Sequence, residues 1–210
     1  MTLNASSRTA PETFESIADR IATCGWGVFE NMVPHRIVNG LSRHARSLEG
    51  YRSASIGRNR NRRYNPFVRR DEIYWINGAV RVEQVWLTWI DQLRLYLNRS
   101  LMLGLESFQS HFAHYPPGSF YRCHLDAFRG QGNRVLSTVL YLNDEWTPGD
   151  GGELLLYSGK QQELGCILPI AGTLAVFLSE DFPHEVLPTQ TDRYSVAGWF
   201  RQRAGLPLEQ

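Results

Sequence analysis

The stretch YRCHLDAFRG, Tyr121 to Gly130, sets a histidine and an aspartate two residues apart, His124 and Asp126. In a strand that spacing puts both side chains on one face. An imidazole beside a carboxylate suits a divalent metal. It suits equally a general base with its orienting partner, or a polar sheet edge. With 6 histidines in 210 residues, such a pair arises by chance often enough that it decides nothing alone. A later histidine, His184 in FPHEVLP, supplies what is missing. If its strand neighbours that of His124, the chain holds a set of two histidines and one carboxylate. That set covers one face of an octahedral ion and leaves the other open, which suits non-haem Fe(II). Zinc more often closes its shell with protein ligands, or with one water.

Arg193 stands nine residues beyond His184, in TDRYSVAGWF. A strand-initial arginine there is expected to point into the same barrel mouth. Burying a guanidinium is costly without an anion, and its planar fork matches a carboxylate. A small dicarboxylate that chelates the metal at one end and pairs with Arg193 at the other satisfies both demands. 2-Oxoglutarate is such a molecule.

The elements that would carry these residues fall into two textures. Apolar residues recur at helical spacing over Pro11–Cys24, Pro34–Leu48 and Val82–Leu101. Between the second and third runs, Gly50–Arg70 is polar and rich in Arg and Asn. It is expected to be a long mobile loop, followed by a short ordered piece near Ile73–Ile76. After Gly104 come eight short strand-like runs separated by turn signals, from SFQSHFAHY to RYSVAGWF. A helical front followed by short strands is an α+β pattern. Eight strands fit a double-stranded β-helix, or jelly roll, with the helices packed on one sheet. The expected organisation is a disordered segment over residues 1–10 and one domain over 11–210, with a helical front at 11–103 and a jelly-roll core at 104–201.

HLD, PHEVLP with DRYSVAGWF, STVLYLNDEW with GGELLLY, and RRDEIYWING together resemble the prolyl hydroxylase branch of the Fe(II)/2-oxoglutarate dioxygenases. The likeness is greatest to the oxygen-sensing HIF prolyl hydroxylases and their bacterial relatives, and it covers Arg69 to Arg201. The resemblance implies hydroxylation of prolyl residues in a protein, using O2 and 2-oxoglutarate and giving succinate and CO2. It implies His124, Asp126 and His184 as Fe(II) ligands, and Arg193 with Tyr141 on the distal carboxylate of 2-oxoglutarate. Tyr115, Leu154 and Val186 match the walls of the cosubstrate pocket, and Trp199 a cosubstrate-site residue near the metal. Asp71 and Arg134 match a pair at the substrate entrance, and Trp75 a tryptophan of the mobile substrate loop. Ascorbate belongs to the implied cofactors. In a bacterium the implied partners are translation components, such as elongation factor Tu or a ribosomal protein. The chain departs from the animal enzymes in a turn one residue shorter between Tyr115 and His124, and in a far more arginine-rich segment before Asp71.

Composition narrows the classes. A net charge of +1 does not mark a nucleic-acid binder, though nine arginines against one acid lie between Arg43 and Arg70. That run is either a solvated face or a loop that meets an acidic partner. A demethylase of nucleic acid would place a second arginine six residues after Arg193, where Trp199 stands. Three cysteines without a C-x-x-C pair argue against a disulfide framework and for a reducing compartment. Cys123 is expected to point away from the ligand face as a buried thiol, and His111 and His114 to be structural. With no secretory h-region and no long apolar run, the expectation is a cytoplasmic monomer with no membrane contact. A dioxygenase of a free amino acid, or a metal-binding sensor without activity, is the competing class.

Overall fold

The computed structural model describes residues 10–54, 65–127 and 132–203. Residues 1–9 of the expected disordered segment lie outside these, and Ala10 already opens a helix. Three helices, α1 (Ala10–Cys24), α2 (His35–Ser47) and α3 (Arg81–Leu101), lie close to the expected spans. Short strands precede and follow α2: β1 (Trp26–Phe29), β2 (Arg52–Ser53) and β3 (Glu72–Trp75). The β part then runs through β4 (Ser107–Tyr115), β5 (Tyr121–His124), β6 (Arg134–Tyr141), β7 (Leu154–Tyr157), β8 (Glu163–Ile167), β9 (Leu174–Leu178), β10 (His184–Val186) and β11 (Arg193–Arg201). These last eight strands match the eight expected runs.

The strands form two antiparallel sheets. The major sheet has the order β1-β9-β6-β11-β4-β3-β2, and the minor sheet the order β5-β10-β7-β8. Together with the helices on one side, this is a jelly roll. Alternation along β11 sorts its residues between two cores. Val196 and Phe200 face the helices, joining Ile37, Leu41, Trp86, Ile90, Leu93 and Leu97 in one apolar cluster. Tyr115, Tyr141, Leu154, Phe177 and Val186 form a second cluster between the sheets. Each fully buried leucine or isoleucine of the first cluster contributes about 1.5–3 kcal/mol.

Helix and sheet are also joined by polar contacts. Trp86 Nε1 donates to Ser110 Oγ at 3.3 Å. The buried Glu83, in the first turn of α3, accepts from the Asn77 and Gly78 amides and meets His44 of α2 at 3.3 Å. A carboxylate at that position also complements the helix dipole.

Of the expected loop over Gly50–Arg70, residues 55–64 lie outside the described residues, and both flanks are tied to the sheets. Arg52 and Ser53 pair with Ile73 and Glu72, and Ala54 is buried. At its other end Arg69 bridges to Tyr121, Arg70 N–H donates to the Phe120 carbonyl, and Arg122 N–H donates to the Val68 carbonyl. Residues 65–71 therefore strap the major sheet to the edge of the minor one. Unpaired backbone groups beside a sheet edge find partners whatever the local composition, so polarity was a poor guide here. Cys123 also departs from expectation, being exposed like Cys24 and Cys166. Its side does oppose that of His124, but the helices cover only the major sheet, so the outer face of the minor sheet meets solvent.

Candidate active site

β5 and β10 are neighbours, and their register sets His124 opposite His184. Asp126 reaches the same place differently from the expected strand alternation. It follows β5 in a bend, and its carboxylate turns back toward both imidazoles. His124 Nε2 lies 3.9 Å from Asp126 Oδ1, and His184 Nε2 lies 3.6 Å from Oδ2. The two imidazole centroids are 4.3 Å apart. Among the described residues this is the one grouping of His, Cys, Asp and Glu side chains able to hold a metal, with donor atoms within 4.8 Å of one another.

Hydrogen bonds fix which nitrogen each histidine offers. His124 Nδ1 donates to the Arg122 carbonyl at 2.9 Å, and His184 Nδ1 to the Phe182 carbonyl at 3.0 Å. A carbonyl only accepts, so both Nδ1 atoms carry a proton and both Nε2 atoms are left facing Asp126. Burial and the neighbouring His184 lower the His124 pKa to about 3, so the ring is neutral at pH 7. Burial raises the Asp126 carboxyl, but His184, His124, Ser137 and Arg134 outweigh it and hold the pKa at about 2. Neutral imidazoles and an ionised carboxylate are the forms a divalent metal requires.

The Arg193 guanidinium lies deeper, on the first residue of β11, and is 1% exposed. Its Nε donates to the Gly152 carbonyl at 2.8 Å, and it stacks over Tyr115 at 4.8 Å and Tyr141 at 5.1 Å. Among the described residues, three buried side-chain polar atoms find no hydrogen-bond partner: Arg193 Nη2, Tyr141 Oη and Trp199 Nε1. A buried donor left unpaired costs about 1–3 kcal/mol, more when it is charged. Two such donors beside a metal-binding group fit the carboxylate of a chelating dicarboxylate.

The sequence model of the 2OG-Fe(II) oxygenase superfamily matches residues 110–201, the span that holds all of these groups. A prolyl-4-hydroxylase of Pseudomonas putida shares 40% identity, with a TM-score of 0.81 over 91% of this chain and 100% of its own. The chain belongs to the 2OG-Fe(II) oxygenase superfamily. This family uses Fe(II), 2-oxoglutarate and O2, and His124, Asp126 and His184 form the iron-binding triad. Human prolyl hydroxylase EGLN3 is 31% identical over 141 residues, 63% of this chain and 59% of its own length. The chain thus spans less than two thirds of the curated relatives it matches. A Trichoplax adhaerens prolyl hydroxylase, solved with a hypoxia inducible factor peptide, has the same fold at 24% identity, with a TM-score of 0.82 over 92% of this chain and 90% of its own.

The oxygenase brings most of the remaining expected residues to this site. Tyr115, Tyr141, Leu154 and Val186 share the cluster between the sheets. Trp199 is buried opposite Ser137 in the strand register, beneath the Arg134 guanidinium at 3.7 Å. Arg134 also donates to the Asp126 carbonyl at 3.3 Å. Two expectations change. The buried Asp71 makes its ion pair with Arg69, through contacts of 2.6 and 2.5 Å, because the residue two earlier on the strap reaches both carboxylate oxygens. Trp75 lies in β3, paired with His111 of β4, and its ring sits edge-on to His111 at 5.1 Å. It is a sheet residue, because β3 pairs with β4 along its whole length.

Some parts of the site escaped the sequence. Tyr121 stacks on His124, and Arg69 lies over the other side of that phenol at 4.2 Å. Gly152 offers its carbonyl to Arg193 at φ +70°, a conformation that favours glycine. The paired glycines of PGDGGE are the signal in the sequence. Among the described residues no helix is long and apolar enough to cross a membrane.

Proposed function

We propose that this oxygenase hydroxylates prolyl residues of a protein substrate and converts 2-oxoglutarate to succinate and CO2. The observation that carries the reading is the pair of unsatisfied donors, Arg193 Nη2 and Tyr141 Oη, buried beside the His-Asp-His group. Prolyl chemistry is supported by the 40% identity to a bacterial prolyl-4-hydroxylase over that protein's whole length. When bound, Fe(II) supplies the oxygen chemistry, and the chain supplies position and dryness. Arg193 and Tyr141 orient the cosubstrate, while Leu154 and Val186 exclude water. Nδ1–H bonds hold both imidazoles in the ligating tautomer.

A polymeric substrate is supported by the rim. Arg70 and Arg122 are exposed and flank Phe120, at 5.2 and 5.4 Å from its ring, and Phe67 is 74% exposed on the same strap. These groups offer an acidic or aromatic segment a landing surface next to the metal. A translation component, such as elongation factor Tu or a ribosomal protein, is the partner class to test first. The test is mass spectrometry of cells carrying the native chain or Asp126→Ala. Prolyl residues that gain one oxygen only with the native chain identify the substrate. Turnover of free proline in place of any peptide would replace this reading with that of a small-molecule oxygenase.

A further inference from the structure

We infer that Ser137 is a positioning residue of the metal centre: its hydroxyl holds Asp126 as a one-oxygen ligand, and Ser179 holds Ser137 in that role. The inference rests on His124, Asp126 and His184 being the metal ligands.

The hydrogen-bond directions follow from chemistry. Ser137 Oγ lies 2.7 Å from Asp126 Oδ2 and 2.9 Å from Ser179 Oγ. An ionised carboxylate only accepts, so the single Ser137 proton goes to Asp126. The contact between the serines must then run from the Ser179 hydroxyl to the Ser137 oxygen. Both side chains are sealed from solvent, at 1% and 0% exposure. Successive hydrogen bonds of this kind polarise and strengthen one another.

The relay does what the backbone does not. His124 and His184 are fixed by the ladder between β5 and β10, whereas Asp126 stands in a bend outside any strand. The bend is tied down from the major sheet instead. Ser179 accepts from the Ala127 amide at 3.2 Å and donates its own amide to the Val135 carbonyl at 2.9 Å. Ser137 lies in β6, in register with Phe177 of β9 and Trp199 of β11. So the carboxylate is referenced to a strand paired on both sides within the major sheet. With Oδ2 held by a hydroxyl, the group cannot swing to chelate through both oxygens. A chelating carboxylate would take a coordination position that the cosubstrate needs.

The test uses purified, metal-free protein and anaerobic Fe(II) titration, followed by 2-oxoglutarate titration of the loaded protein. Ser137→Ala is expected to raise the Fe(II) dissociation constant about 10- to 100-fold, the usual range for groups that orient metal ligands. It should also weaken 2-oxoglutarate binding at saturating Fe(II). Thermal unfolding of the metal-free form should not change comparably. Ser137→Thr, which keeps the hydroxyl, should recover most of the loss, and Ser179→Ala should show a smaller one. A folded Ser137→Ala that binds Fe(II) like the native chain overturns the inference, provided Asp126→Ala does not bind. A loss that Ser137→Thr fails to recover also overturns it, because packing and not the hydroxyl is then responsible. If Ser137→Ala does not fold, Ser179→Ala decides, and an unchanged constant counts against the relay. If Asp126→Ala itself binds Fe(II) normally, it is the metal-centre assignment that fails.

Discussion

Tyr121 lies nearly flat on His124, with ring centroids 3.6 Å apart and planes 17° from parallel. The stack joins a metal ligand to the strap, since the Arg69 guanidinium covers the phenol at 4.2 Å and is itself paired with Asp71. Aromatic pairs of this sort contribute about 0.5–1.5 kcal/mol beyond their buried area. Tyr121→Leu is therefore expected to weaken Fe(II) binding about two- to tenfold, and Tyr121→Phe to leave it near native. Anaerobic titration of both variants checks this. Equal losses in the two would assign the effect to the phenol hydroxyl, not the stack.

Arg193→Lys should behave as a severe change. A lysine offers a point charge where the fork now spans Gly152, Ser195 and a free Nη2. The KM for 2-oxoglutarate is expected to rise at least about tenfold, equivalent to ~1.4 kcal/mol. Gly152→Ala tests the same anchor from the other side. A Cβ there would lie 3.0 Å from Arg193 Cδ, on a backbone with φ +70°. It should raise the same KM while Fe(II) affinity holds. A native KM in both variants would move the anion elsewhere.

The pattern of what could be foreseen follows from these residues. Triad and arginine were legible because their chemistry is carried by residue type and chain order. Gly152 was not, because a carbonyl is contributed by any residue and only the fold reveals which one faces the guanidinium. Asp126 was found for an incomplete reason, since the alternation rule ends with β5 and a bend completes the site. Cys123 was placed on the correct side of its strand yet judged buried, because whether a sheet face is covered depends on where helices dock. Arg69 displaced Arg134 as the partner of Asp71 for a similar reason. The strap's backbone pairing sets Arg69 against that carboxylate, while Arg134 donates to the Asp126 carbonyl instead.

His111 predicts an acid sensitivity. It is buried between Trp75 and Trp199, and desolvation lowers its pKa to about 4 from an ordinary 6.5. The unfolded chain therefore binds a proton that the folded chain refuses between these values, so stability falls as pH drops from about 6.5 toward 4. Asp126 acts only below its ordinary value of 3.8, outside most of this window. Thermal unfolding of the metal-free protein across pH 7 to 4 should show the decline, and His111→Gln should make it shallower, the remainder belonging to His124, whose pKa is lowered in the same direction. A native slope in that variant would clear His111 of responsibility.

Arg70→Glu and Arg122→Glu should each raise the KM for a protein substrate with acidic residues near the target proline. Neither should change the KM for 2-oxoglutarate, because both guanidiniums lie on the outer rim beside Phe120. The native effect should weaken with salt, since charges are screened over about 8 Å at 0.15 M ionic strength. Identical protein-substrate kinetics in both charge reversals would reduce the arginines to a solvated surface.

Exposure falls steadily along the site, from 18% for the His124 side chain through 10% for Asp126 and 7% for His184 to 1% for Arg193 and 0% for Tyr141. A path that narrows in this way has a direction. On the proposed reading, a small dicarboxylate passes the metal site to reach Arg193, whereas a protein substrate stops at the rim formed by the strap. The first visitor therefore has to be seated before the second arrives, and a macromolecule that docks early becomes a stopper. Excess protein substrate should slow turnover when 2-oxoglutarate is scarce, and added 2-oxoglutarate should relieve the block.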